Sequence, residues 1–333
     1  MSTKINLLFT SVGRRVELLR SFRRAYAELG LSGNIVACDV DRLAPGMHVA
    51  DLARCVPRLD NPEYLPTLAK LLQTEEIAVL FPLIDPEIPI LAAHRERLEE
   101  HGTRLAVVPT HSARVAADKW ETQAFFARLG LAVPRSWLPG QREPSASEYP
   151  LFIKPRFGSA AQHVFAIRNA EDLAFFARYV PQPIVQEYLS GPEITNDVIC
   201  DWTGQLLTVI SRQRIRVRSG EVLIGKTIYD PRITDACVRI AQALPAIGPI
   251  TVQCMMRQGE PVFTEINARL GGGAPAAVAA GADFPRWLLA RAAGIAESLP
   301  PLGSYRTNVV FSRFDDSIIL MESSDDVVEG RGV

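Results

Sequence analysis

Short apolar runs alternate with stretches of helical periodicity over the first hundred residues of the chain. Residues 5–9 (Ile-Asn-Leu-Leu-Phe) form one such run and end in the turn Thr10-Ser11-Val12-Gly13. Val16, Leu18, Leu19, Phe22 and Tyr26 then recur at roughly helical spacing, and Gly30 closes that helix. Strands follow at 34–39, 78–81 and 105–108, with helices at 64–74 and 88–101. This β-α-β alternation predicts an α/β N-terminal domain, a doubly wound parallel sheet, over residues 1–111.

The pattern changes in the second half. A helix at 112–130 ends at Leu129-Gly130, and residues 139–150, rich in Pro, Gly, Ser and Glu, read as a surface connection. Short strands at 151–154, 164–167 and 184–188 enclose a helix at 171–179. Residues 194–200, 205–211, 213–218 and 221–224 predict an antiparallel meander joined by the turns Thr203-Gly204 and Ser219-Gly220. A helix at 233–244, a strand pair at 250–256 and 261–266, and an Ala-rich helix at 274–294 complete it. The expectation is an α+β domain over 112–300 made of two subdomains, the central one at about 140–190. A C-terminal strand and tail follow at 301–333, frayed from Ser323 on.

Composition narrows the function. With 36 basic and 37 acidic residues the net charge is -1, so nothing supports binding to nucleic acid or an anionic membrane. Five widely spaced cysteines without a C-x-x-C pair read as reduced thiols of a cytosolic protein. No apolar stretch reaches the roughly 20 residues of a membrane span. The N-terminal run lacks the apolar region and cleavage site of a signal peptide, so the expected location is cytoplasmic.

Two motifs mislead. Gly220 to Thr227 fits the phosphate-loop pattern G-x-x-x-x-G-K-[ST], but its interior is Glu-Val-Leu-Ile, a strand-forming run, and Tyr229-Asp230-Pro231 leaves no room for the required helix. Lys226 can still face a phosphate from a sheet. The turn Thr10 to Arg15, with Asp39 ending the next strand, sits where the dinucleotide fingerprint of a nicotinamide dehydrogenase would begin, yet holds one glycine of three, so it reads as a plain βα turn whose helix N-terminus can bind another anion.

A third set of features is dispersed. Lys154 stands at a strand end before the small-residue stretch Gly158-Ser159-Ala160-Ala161, which can fold over phosphates and offer backbone N–H groups. Val185-Gln186-Glu187-Tyr188-Leu189 is a strand exit suited to a purine edge, with Glu193 placed for ribose hydroxyls. Glu265, Asn267 and Arg269 follow at spacing two on a strand, hence on one face. A carboxylate beside an amide oxygen suits magnesium, and an arginine beside them suits a phosphoryl group in transfer. Singly, each residue also reads as a solvated surface position.

In this order the series resembles the ATP-grasp superfamily, over nearly the whole chain. The pairing of Val252-Gln253-Cys254-Met255 with residues 264–272 (Thr-Glu-Ile-Asn-Ala-Arg-Leu-Gly-Gly) is most similar to the synthetase units of the carbamoyl-phosphate synthetase large subunit and their stand-alone relatives. The resemblance implies ATP and Mg²⁺ (or Mn²⁺ in its place). Lys119 and Lys154 would meet the ATP phosphates, Glu187 and Leu189 the adenine through the hinge backbone, and Glu193 the ribose. Gln253, Glu265 and Asn267 would bind the metal, Arg269 would stabilise the transferring phosphoryl group, and Arg214 would be a further phosphate contact.

The function expected from these readings is amide-bond formation. ATP phosphorylates a small-molecule carboxylate, an amino acid being one candidate, and an amine displaces the phosphate. Substrate would enter beside Gly271-Gly272-Gly273. The alternatives are a kinase acting on bicarbonate or carbamate, and a subunit that binds ATP without chemistry. Homodimerisation is an expectation of the superfamily.

Overall fold

The computed structural model describes residues 4–158 and 162–320. Its first unit is a parallel sheet built from β1 (Asn6–Thr10), β2 (Ile35–Asp39), β3 (Leu52–Cys55), β4 (Ile77–Pro82) and β5 (Arg104–Leu105), in the order β3-β2-β1-β4-β5. Every residue of β1 and β2 is buried, as expected for central strands covered on both faces. α1 (Val16–Leu29) packs through Leu18, Leu19, Phe22, Ala25 and Tyr26 and stops at Gly30, whose left-handed conformation lets its N–H bond back to Ala27. α2 (Tyr64–Thr74) spans the predicted bounds, whereas the helix expected at 88–101 divides at His94 into α3 (Ile88–Ala93) and α4 (Arg95–Glu99). β3 escapes the periodicity because its four residues are partly or fully exposed.

The order places β2 on one side of β1 and β4 on the other. The loops leaving the carboxyl ends of β1 and β4 therefore diverge and open a crevice. Glu87, wholly buried, ties the two loops together: it accepts hydrogen bonds from Tyr64 and, at 3.2 Å, from Ser11 Oγ.

The helix expected at 112–130 breaks at Asp118. Its extended backbone separates α5 (Thr110–Ala117) from α6 (Lys119–Arg128), and its carboxylate caps α6 by accepting from Trp120 N. A four-stranded sheet, order β6-β9-β7-β8, follows from β6 (Ser136–Trp137), β7 (Leu151–Pro155), β8 (Phe165–Ile167) and β9 (Pro183–Glu187), with α7 (Ala170–Tyr179) against it. The last sheet, order β14-β13-β10-β11-β12-β15, contains β10 (Glu193–Cys200), β11 (Leu206–Arg218), β12 (Glu221–Ile228), β13 (Ile250–Arg257), β14 (Glu260–Asn267) and β15 (Val310–Ser312). α8 (Pro231–Ala243) covers it, and the Ala-rich helix divides into α9 (Pro275–Ala279) and α10 (Phe284–Ala292). The two strands expected at 205–218 are one strand, β11.

Two cores run from the parallel sheet into the six-stranded sheet. One joins Leu8 and Val36 to Val198 and Val252; the other joins Phe9, Phe22 and Phe81 to Ile199, Ile210 and Phe284. The four-stranded sheet has a separate core of Trp137, Leu151, Ile153, Ile167, Val180 and Val185. No helix among the described residues is long and apolar enough to cross a membrane.

Burial pushes the Glu87 carboxyl above its usual range, against the lowering effect of its hydrogen bonds from Tyr64 and Ser11. Its ionisation at neutral pH therefore costs stability, and the cost disappears as pH falls through the raised value. Relative to the isosteric neutral variant Glu87→Gln, the wild-type protein should gain melting temperature as pH falls from neutral toward the ordinary carboxylate range. Parallel melting curves across that range would disprove this.

Candidate active site

A cavity of about 770 Å³ is lined by residues of the two antiparallel sheets and by segments that follow β1 and β4 of the parallel sheet. Its floor comes from the β13–β14 hairpin, where Thr251 pairs with Asn267 and Gln253 with Glu265, but Cys254 with Phe263. Thr264 is thus an extra residue, a bulge, and its carbonyl accepts from Gln123 Nε2 at 3.0 Å. Thr264, Glu265, Asn267 and Arg269 all line the cavity. The common face expected for Glu265, Asn267 and Arg269 is present, although Arg269 lies just beyond β14.

A polar chain crosses the sheet. Asn267 Nδ2 donates to Gln253 Oε1 at 3.2 Å, Gln253 Nε2 donates to Glu193 Oε1 at 2.8 Å, and Glu193 also accepts from its cross-strand partner Arg214. Arg269 pairs with Asp85 at 2.8 Å, and Lys119 lies 3.5 Å from Glu265. The break at Asp118 aims Lys119 here: its main-chain N–H donates to Arg156 O and its Nζ to Gly158 O at 2.7 Å. Asp118 also accepts a two-pronged contact from Arg156.

The charges do not cancel. The lining carries seven lysines and arginines and five carboxylates, and one of these, Glu187, is held by Arg135 and Arg257 from outside it. Lys154 is buried, and among the described residues nothing accepts a hydrogen bond from its Nζ. Burial pushes its ammonium below the usual lysine range; Glu265 opposes that and Lys119 adds to it. The Nε atoms of Arg214 and Arg269 are buried without partners. Unsatisfied cationic donors beside a cavity of this size fit a polyanion such as a nucleotide triphosphate.

The metal-binding potential is more limited. Among the described residues no group of three or more His, Cys, Asp or Glu could hold a metal ion. Glu265, Gln253 and Asn267 supply one carboxylate and two amide oxygens, a hard-oxygen set that fits magnesium when phosphates share the coordination.

Most predicted residues converge here: Lys119, Lys154, Gly158, Gln186, Glu187, Tyr188, Leu189, Glu193, Arg214, Gln253, Glu265, Asn267 and Arg269 line the cavity. Ser159 lies outside the described residues. Gln186 is pinned by donating to Ser136 Oγ at 2.9 Å, and the Glu187 N–H donates to Arg135 O. Leu189 N–H has no acceptor among the described residues and is free for a ligand edge.

Lys226 does not converge. It pairs with Gln213, whereas the cavity-lining Arg212 and Arg214 pair with Thr227 and Gly225. Paired residues share a face and neighbours alternate, so Lys226 projects from the other side of the sheet. The phosphate-loop pattern is accordingly strand β12, entered through Ser219 and Gly220, both at positive φ.

The sequence reading missed Arg15, Asp85 and the Arg212–Asp197 pair. Arg212 is 1% exposed and contacts Asp197 through Nε–Oδ2 at 2.6 Å and Nη2–Oδ1 at 2.9 Å. Glycine is required above it: a Cβ on Gly273 would lie 2.2 Å from Arg212 Nη1, and one on Gly272 2.3 Å from Arg15 Nη1. The signals were the position of Arg15 just after the first strand and of Asp85 just after another, both at sheet ends where ligands gather.

Residues 7–106 match the family described as PylC-like, N-terminal domain, and residues 116–273 match the ATP-grasp domain. Three solved structures share the fold over most of the chain. Biotin carboxylase from Campylobacter jejuni, in a β,γ-ATP complex, has TM-score 0.69 and 19% identity over 91% of this chain and 74% of that one. L-amino acid ligase from Bacillus licheniformis has TM-score 0.66 and 18% identity over 89% and 76%. N5-carboxyaminoimidazole synthetase from Staphylococcus aureus, complexed with ADP, has TM-score 0.68 and 14% identity over 92% and 81%. The chain thus carries an ATP-grasp domain over residues 116–273, preceded by a PylC-like N-terminal domain. Its parallel sheet is a PylC-like domain, and the two antiparallel sheets carry the ATP-grasp fold.

Removing Arg212 would strand Asp197 uncompensated in the sheet. Arg212→Met should cost about 3–5 kcal/mol in urea unfolding, and adding Asp197→Leu should return most of it. Equal stability of the wild type and Arg212→Met would contradict the pair's assignment.

Proposed function

We propose that the protein is an ATP- and magnesium-dependent carbon–nitrogen ligase that joins a carboxylate to an amine. The carrying observation is the set of cationic nitrogens on Lys154, Arg214 and Arg269 that lack acceptors in a cavity also holding Glu265, Gln253 and Asn267. The γ-phosphoryl group of ATP passes to the carboxylate, giving an acyl phosphate and ADP. The amine then attacks the acyl carbon and phosphate leaves.

In this reading Lys119 and Lys154 hold the phosphates, and the free Leu189 amide and the Glu187 backbone meet the adenine. Glu193 serves the ribose. Magnesium, when bound, supplies charge neutralisation at the phosphates, with Glu265, Gln253 and Asn267 as its protein ligands. Arg269, oriented by Asp85, offsets charge on the phosphoryl group in transfer, and Arg214 lends a second guanidinium. The L-amino acid ligase among the structural relatives offers a precedent in name for this reaction.

A second reading, bicarbonate as the activated acid, takes support from relatives named as biotin carboxylases, one described with MgADP and bicarbonate. Bicarbonate-stimulated ADP release without an organic acid would select it. For the ligase, a paired screen of amino acids and amines should give ADP release that chelation of magnesium abolishes. Glu265→Ala should remove activity, and Arg269→Ala should lower kcat on the order of a hundredfold. ADP release no higher than in Glu265→Ala across the screen, with or without bicarbonate, would refute both.

A further inference from the structure

The wall contributed by the PylC-like domain carries a cation for which phosphoryl transfer has no use. Arg15 follows the β1 loop and opens α1, and residues Leu83 to Asp85 follow β4, so both segments sit at the crevice where the strand order reverses. The Arg15 guanidinium is partly buried and lies against the backbone of Gly272. Among the described residues it donates to no carboxylate or carbonyl.

The acids nearby are already engaged. Asp85 is paired with Arg269 at 2.8 Å, and Glu221 with Arg14 at 3.2 Å and Arg313 at 2.9 Å. The amides of Gly271, Gly272 and Gly273 likewise have no acceptor among the described residues. Burial, reinforced by Arg269 and Arg313 and opposed by Glu221 and Asp85, pushes the Arg15 pKa down to about 10. An arginine held in that position is destabilised until a ligand brings a negative charge.

We propose that Arg15 and the Gly271–Gly273 amides bind an anionic group of the organic substrate other than the one that is activated. The substrate then carries a second anion, a carboxylate or a phosphate, and Arg15 selects for it. Arg269 faces the reacting group from the same cavity, so the fixed anion at Arg15 sets how far the reacting end projects. The proposal rests on the ligase reading for its second half, but the anion site itself can be tested without turnover.

Calorimetric titrations with succinate and with methyl phosphate, on the free protein and with saturating MgADP, separate the two sources of anion. At least one should bind the wild type, and Arg15→Leu should weaken it roughly tenfold or more while MgADP affinity stays within about twofold. Arg15→Lys, which keeps the charge, should recover part of the loss and exclude a folding defect. Lys154→Met should do the reverse, weakening MgADP and sparing the anion. Anion binding unchanged in Arg15→Leu, or no binding of either anion to the wild type, overturns the proposal. Failure of MgADP to bind, with the Arg15 effect intact, instead removes the nucleotide reading and leaves the anion site standing.

Discussion

The buried contact between Arg212 and Asp197 fixes the geometry on which the cavity depends. Burying an opposite pair of charges is a poor way to gain stability, because desolvation consumes most of the attraction. Its effect is positional. The two-pronged contact locks β10 to β11 at one register, and that register sets Arg214 beside Glu193, the carboxylate to which Gln253 donates from β13. The same guanidinium occupies the space where a side chain at 273 would stand, so the glycine run passes close over the sheet.

Around that floor, structure and chemistry meet in an imbalance of charge. Cationic side chains converge from α6, β7, β11 and the segment after β14, and two of them, Arg214 and Arg269, hold the acids Glu193 and Asp85. Such an arrangement is tolerable only if a ligand completes it. The break at Asp118 has the same logic: a helix continued through it would carry Lys119 round the helix axis, whereas the capped restart sends its ammonium to Gly158 and Glu265.

Much of this was legible in the sequence, for identifiable reasons. β1, β2 and β4 are continuous apolar runs, and Glu265, Asn267 and Arg269 keep the two-residue period of a strand, so local pattern sufficed for both. The breaks at His94 and Asp118 stayed hidden because apolar spacing on either side remains helical. Lys226 was misjudged although the Ser219-Gly220 turn, which pairs residue 218 with 221, already sets 226 opposite 213 and so on the face away from Arg214. Arg15 and Asp85 meet the cavity only through the sheet order, and the separation of 184 residues between Asp85 and Arg269 leaves no trace in spacing.

The four-stranded sheet closes its core on itself, from Trp137 to Val185, while the two larger cores are shared by the rest of the molecule. A substitution inside the small sheet therefore repacks only that sheet, and one in the crevice by Arg15 leaves it untouched. The wall beside the β9 exit and the wall beside Arg15 therefore rest on different cores. A change of packing behind one wall of the cavity need not travel to the other.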